Sequence, residues 1–367
     1  MKILNWYITK SFLITFGMAM LILTFGMTGA RIAKVMDVIV NGVPIDVFFK
    51  FIFYVMPVIL TYTIPWSILA AVMLIFGRLS ADHEITAMRA CGISILQVVS
   101  PIMLIVFAIS GFCLFMHLEL SPIGLLKSRT LMRDAAVNQP MAMFEPGRPL
   151  HYGNMIIYID DKIGKDKLKN VQIYVVNPKD KEKVAQDITA TEGVLQVDEA
   201  KKVLTIVLKN CLTINKADRE VSRLVSDELR FFFDFGESSN GANLFRAPKY
   251  MSFNELIARI RMAKKMTPRN PEMECSMEVE LNKRIAFALS PIAFLLLGIP
   301  LAIRTNRRET SVGLFLSVIL AGVFFLLIIF AQSLTGYPKL YPQYLLWLPN
   351  ILFQFAGAIM TYRISQR

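Results

Sequence analysis

The sequence predicts a polytopic α-helical membrane protein with six transmembrane helices and an extracytoplasmic antiparallel β-domain inserted between the third and fourth. Three observations carry that reading. Six long runs hold no charged side chain, the stretch 119–282 changes to short β-rich segments, and basic residues gather in alternate short loops.

Of 367 residues, 54% are hydrophobic and 19% charged, whereas soluble domains carry roughly 25% charged. Ser11–Ala30, Phe51–Gly77, Ala90–Met116, Ile285–Ile303, Thr310–Pro338 and Leu340–Tyr362 contain no Asp, Glu, Lys or Arg. A bilayer core takes about 20 apolar residues as a helix, so each run is long enough to span. Lys2 and Lys10 beside the first run resemble the start of a signal peptide. The run exceeds an apolar signal core of roughly 7–15 residues, so a retained first span is expected.

The short loops set orientation. RTNRRE at 304–309 has three arginines, and 78–89 has Arg78 and Arg89. The chain ends add Lys2, Lys10, Arg363 and Arg367, while the alternate loop has Lys339. Basic loops stay on the cytoplasmic side, which puts both termini, 78–94 and 304–309 there and the long insertion outside. The net charge of +12 also concentrates around the spans, because 119–282 holds 25 basic and 23 acidic residues. That distribution reads as orientation and contact with anionic lipid. No basic block interleaved with aromatics points to nucleic acid.

The domains expected are therefore 1–118, with three spans and a cytoplasmic helix at 78–94, then 119–282, then 283–367 with three further spans. Within the insertion, MIIYID (155–160), VQIYVV (171–176), GVLQVD (193–198), KVLTIVLKN (202–210) and LRFFFDF (229–235) are rich in β-branched and aromatic residues. Several alternate with polar positions, the pattern of half-buried strands. NPKDKE (177–182) and DEAKK (198–202) supply turns, and an antiparallel sandwich or roll follows. From Ser252 the texture turns helical: SFNE at 252–255 fits a capping box, and Leu256, Ile257 and Ile260 line one face. A polar hinge with Pro268 and Pro271 precedes the fourth helix, expected to restart near Met277.

Several chemistries are excluded. No GxxxxGK[ST] phosphate loop occurs, so this chain should not hydrolyse ATP. His83-Glu84 begins like HExxH, but the second histidine position holds Ala87. No GxSxG elbow occurs, and His83, His117 and His151 are scattered. Cys91, Cys113, Cys211 and Cys275 match no zinc or CxxC spacing; Cys211 and Cys275 could pair outside the cell, though free thiols are expected. An enzyme is a poor fit.

RLSADHEITAMRACGIS at 78–94 is more informative. Ser80 suits an N-cap, Asp82 and Glu84 the positive end of a helix, and Gly92 a C-terminal stop. At 100° per residue Ala81, Ile85, Met88 and Cys91 form a stripe, with Glu84 inside it. That carboxylate is either solvated at the edge of an interfacial helix or aimed at a donor on a partner.

This stretch resembles the coupling-helix signature of the LptF/LptG permease family. ELNKRIAFALSPIAFLLLGIPLAIRTNRR (280–308) resembles the family's fourth span and arginine-rich loop, and LWLPN (346–350) its last span. The three-span, β-domain, three-span layout also matches. ACGIS and NGVPIDVF lean towards the LptF branch, Lys34 with Asp37 towards LptG.

The resemblance implies a permease subunit of the ABC transporter that extracts lipopolysaccharide from the bacterial inner membrane. Glu84 would dock into a groove of a separate ATPase dimer, LptB-like, with Ala81, Ile85, Met88 and Arg89 around it. ATP and magnesium would be bound by that partner, and this chain would need no cofactor. A homologous permease would complete a heterodimer, and an LptC- or LptA-like β-jellyroll protein would receive lipid from the family's own β-jellyroll. ATP-driven closure would squeeze a cavity between the permeases.

Arg31, Lys34 and Asp37 recur every three residues past the first span, on one helical face. Arg129 and Arg133 follow the third span four residues apart, with Lys127 beside them. These cations suit lipid phosphates at a low-dielectric boundary, or snorkel to ordinary headgroups. Pro57, Pro65, Pro291 and Pro300 could kink gate-lining helices, and VFFLLIIF (323–330) suits acyl chains, bilayer or core alike. Two other readings stay open: a mechanotransmitting permease that moves no lipid through its spans, and a membrane-anchored β-domain scaffold without an ATPase.

Overall fold

The computed structural model describes residues 2–40, 44–138, 147, 149–152, 155–164, 166–176, 184–198, 203–217, 220–234, 247–265, 270–305 and 310–366. Six stretches are long and apolar enough to cross a membrane: Lys2–Ile32, Ile45–Ala81, Ile95–Ala135, Pro271–Arg304, Gly313–Gly336 and Pro342–Ile364. They correspond one to one with the uncharged runs. The helices are α1 (Lys2–Val40), α2 (Ile45–Ala81), α3 (Glu84–Ala90), α4 (Ile95–Phe115), α5 (Ser121–Asn138), α6 (Phe253–Lys265), α7 (Pro271–Thr305), α8 (Thr310–Ser333), α9 (Pro342–Leu345) and α10 (Leu348–Gln366). A π-helical turn at Met116–Leu120 joins α4 to α5, so the third span's helix runs on past residue 118. The chain forms two compact units, one of residues Met1–Ala30, Phe53–Leu126 and Ala247–Arg367, the other of Arg31–Ile52 and Lys127–Arg246.

In the membrane unit, α2 and α7 form the middle of the core, with 72% of the most apolar window of each span buried. Side chains of three other elements donate to α7 carbonyls. Ser80 Oγ reaches Ile303 at 3.0 Å, Ser110 Oγ reaches Ala288 at 2.6 Å, and Asn350 Nδ2 reaches Ala286 at 2.8 Å. Trp347 Nε1 donates to Asn282 Oδ1 at 3.0 Å. The LWLPN segment is thus a polar seam between the fourth and sixth spans. Each such bond matters in lipid, where water cannot satisfy a stranded polar group. Gly357 closes the same seam, since a methyl there would lie 2.5 Å from the Leu296 carbonyl.

The intramembrane prolines do not interrupt their helices; α2 and α7 run through them. Each removes the N–H owed to the carbonyl four residues earlier. Ser290 Oγ donates to Phe287 O at 2.6 Å, the carbonyl freed by Pro291, and Ser100 Oγ to Gln97 O at 3.1 Å, freed by Pro101. The carbonyl of Thr61, freed by Pro65, takes a hydrogen bond from buried His117 in the π turn. The VFFLLIIF segment divides between two roles: Phe324 and Ile328 are core, while Leu326, Ile329 and Phe330 are exposed.

Beyond the sheet, α6 lays Leu256 and Ile260 against Met251 and Met277. The Glu255 amide donates to Ser252 Oγ at 3.4 Å, while the Glu255 carboxylate takes Arg259 at 3.1 Å. The fourth span starts earlier than Met277: Asn270 Oδ1 accepts from the Met273 amide, and Pro271 occupies the first turn, where a missing N–H costs nothing. Arg284, 3% exposed, donates to Glu280 and to the carbonyls of Met251, Pro248 and Lys249.

The second unit carries a six-stranded antiparallel meander in the order β1 (Leu150–Tyr152), β2 (Met155–Ile163), β3 (Lys167–Val176), β4 (Val184–Asp198), β5 (Val203–Ala217) and β6 (Glu220–Asp234). The alternation read in the sequence places Ile157 and Ile159, Val171 and Ile173, and Ile206 and Leu208 in one apolar core, to which Ile188 and Ala190 add from a stretch the pattern does not mark. The last three strands, 15 residues each, outrun the segments that marked them. The NPKDKE turn, most of DEAKK, Pro268 and residues 306–309 of the arginine-rich loop lie outside the described residues.

Candidate functional site

The segment between the second and third spans is held by local hydrogen bonds throughout. The second span continues through Ser80 to Ala81, so Ser80 is an interior helical residue tied to Ile303 and not an N-cap. The chain then reverses at His83, which takes a left-handed conformation (φ 59°) that histidine tolerates better than most residues. After α3 the Ile93 amide donates to Met88 O at 3.0 Å and the Gly92 amide to Arg89 O at 2.9 Å. Gly92 sits at φ 78°, as the sequence requires of that stop. Ser94 and Gln97 then form a reciprocal capping box that starts α4. Backbone this fully paired holds its direction.

Side-chain placement divides the helix. Ile85 is buried in the chain's own core, and Met88 and Ile93 pack against that core. Ile85, Met88 and Arg89 line a small apolar cleft with Phe76, Val98 and Ile303. The opposite face exposes Asp82, His83, Thr86, Ala87, Ala90 and Cys91. Ala81 and Glu84 are half-buried between the two faces, and Tyr7 Oη donates to Glu84 Oε1 at 3.4 Å. The stripe read from the helical wheel therefore splits: Ile85 and Met88 turn inward, Glu84 stays at the rim, and small residues form the outer surface. That small-residue face carries no hydrophobic signal, so pattern reasoning passed over it.

A second feature lies at membrane depth. Thr15, Met18, Ala19, Ile22 and Leu23 of the first span, Trp66, Ala70 and Leu74 of the second, and Leu314, Ser317, Val318 and Ala321 of the fifth line a groove of about 350 Å³. Its walls are nearly all apolar.

The basic residues singled out all fall in the second unit. Arg31, Lys127 and Arg129 are exposed, and Arg133 is half-buried with its guanidinium 3.7 Å from Asp134. Lys34 and Asp37 belong to α1, but their side chains lie outside the described residues. Among the described residues no group of three or more His, Cys, Asp or Glu side chains gathers for a metal. All four cysteines are free thiols, and burial pushes the Cys211 thiol above its ordinary pKa.

Comparison with known proteins agrees with these features. A family model described as lipopolysaccharide export system permease LptF/LptG matches residues 6–363. Curated relatives include the lipopolysaccharide export system permease protein LptF of Escherichia coli K12 and that of Shigella flexneri. Each is 20% identical over 337 residues, covering 88% of this chain and 84% of the relative. With six apolar helices and an antiparallel sheet inserted between the third and fourth, the chain belongs to the LptF/LptG family of lipopolysaccharide export permeases, bacterial inner-membrane proteins.

Proposed function

We propose that this chain is a permease subunit that extracts lipopolysaccharide from the inner membrane, driven by a separate cytoplasmic ATPase docked on α3. The observation that carries the reading is the family match across nearly the whole chain together with the geometry of α3. A seven-residue helix fixed by a left-handed turn at one end and a glycine stop at the other presents Glu84 at the rim of a flat, small-residue face. Such a surface fits a groove on another protein, and Glu84 meets a donor or cation there. Basic short loops support a cytoplasmic side for that face and for both termini.

The groove between the first, second and fifth spans suits acyl chains, because its walls are apolar and lie at bilayer depth. Arg31, Lys34, Lys127, Arg129 and Arg133 suit lipid phosphates through charge-assisted hydrogen bonds. A homologous permease faces this chain across the lipid. Among the described residues the sheet ends in β6, whose Leu224, Val225 and Phe232 are exposed, and strand addition at that edge suits a β-jellyroll partner in the periplasm.

The test is capture of the ATPase by tagged permease. Glu84→Lys should abolish it and Glu84→Ala should weaken it at least tenfold, with the melting temperature unchanged. Full capture by both variants would refute the docking role. Photo-crosslinkers at Ile22 and Val318 should label lipopolysaccharide; labelling by bulk phospholipid alone would refute extraction through this groove.

A further inference from the structure

We infer that Tyr7 is a positioning residue that couples α3 to the wall of the lipid groove formed by the first span, an inference that rests on the reading of α3 as the docking helix. The first span is tied down at one end. Ile8 and Phe12 are fully buried in the same cluster as Phe76, Leu79 and Ile85, and Tyr7 beside them donates to Glu84 at 3.4 Å. Farther along, only 6% of that span's most apolar window is buried, and Met18, Ile22 and Phe25 are 60%, 69% and 82% exposed. Thr24 Oγ1 makes one polar contact there, with Thr63 at 3.1 Å.

This is the layout of a lever. Helical rise of about 1.5 Å per residue puts the groove-lining stretch Thr15–Leu23 about 12–24 Å along the axis from Tyr7. Displacement at the buried base reaches the groove wall through a rigid helix. The Tyr7–Glu84 bond is exposed and long beside the roughly 2.5–2.7 Å of a tight hydroxyl–carboxylate bond, so it has slack to lose as α3 moves. When a partner moves α3, the slack is taken up and the tyrosine carries the base of the first span with it. Ile85 cannot do this alone, because it packs among several elements and signals to no particular one.

The test uses the assembled transporter, chain plus partner permease plus ATPase, in vesicles of phosphatidylethanolamine and phosphatidylglycerol. Spin labels are placed at Ile22→Cys and Val318→Cys after Cys91→Ser, and their separation is measured without and with ATP. In the Tyr7 protein the separation should change by several ångströms. Tyr7→Phe should cut that change at least threefold while ATPase capture, ATP turnover and melting temperature stay as they were. An ATP-driven change of equal size in Tyr7→Phe, or none in the Tyr7 protein, would overturn the inference. Loss of ATPase capture in Tyr7→Phe would also overturn it, by making Tyr7 part of the docking surface. Undiminished capture by Glu84→Ala refutes the docking reading instead, and that result is obtained independently of the spin labels.

Discussion

The fourth and first spans are made of similar residues and are used in opposite ways. In the fourth, 72% of the most apolar window is buried, and its carbonyls accept from Ser80, Ser110 and Asn350. In the first, 6% is buried and the anchor is Ile8, Phe12 and the Tyr7 hydroxyl. Apolarity made both helices membrane spans; polar side chains at particular depths decided which one became the fixed post. Extraction of lipid as proposed would use both, a rigid frame to push against and a wall that yields to lipid.

Substitutions sharpen that contrast, starting in the frame. Arg284→Leu removes one of the two cations on Glu280, where Lys283 remains, and the side-chain donor to three carbonyls, so unfolding in detergent should become easier by several kcal/mol, about 1–3 for each carbonyl left unpaired. Gly357→Leu forces a side chain onto the Leu296 backbone, and about 1–3 kcal/mol of stability should go, with the sixth span loosened from the fourth. Asn350→Ala removes the side-chain donor to the Ala286 carbonyl, which keeps its helical partner, and should cost about 0.5–1.5 kcal/mol. At the other extreme Phe25→Ala, on the exposed side of the first span, should change stability by less than about 0.5 kcal/mol. A loss of several kcal/mol at Phe25, or none at Arg284, would break the distinction between post and wall.

Thiol chemistry gives a further check. Cys91 is exposed while Cys113, Cys211 and Cys275 are buried, and burial raises the Cys211 thiol above its ordinary range, so less reactive thiolate is present at a given pH. A maleimide should label Cys91 in the native protein and the other three only after unfolding. Rapid native labelling of Cys211 would contradict the described packing of the sheet.

The spans were legible because absence of charge over twenty residues has one physical meaning. The strands were legible from alternation, and Gly92 from the geometry a helix stop demands. Ser80 was not: the pattern suggested a cap, whereas a carbonyl 223 positions away, Ile303, satisfies its hydroxyl and lets the second span continue. Trp347 and Asn350 read as a familiar string, with no hint that they hold the fourth span. Arg284 and His117 were passed over, since their partners are backbone carbonyls, which every sequence has everywhere. For Glu84 the helical wheel drew the apolar stripe through Ile85 and Met88, which the chain's own core takes. Periodicity shows which residues seek burial and does not say in which protein.

The most direct test of the account crosslinks α3 to the ATPase in the assembled complex. A photo-reactive residue at Ala87, on the exposed face, should form an adduct with the ATPase, and the same probe at Phe25 in the first span should form none. Failure of the Ala87 probe to reach the ATPase in a complex that still hydrolyses ATP would contradict α3 as the point where the energy arrives.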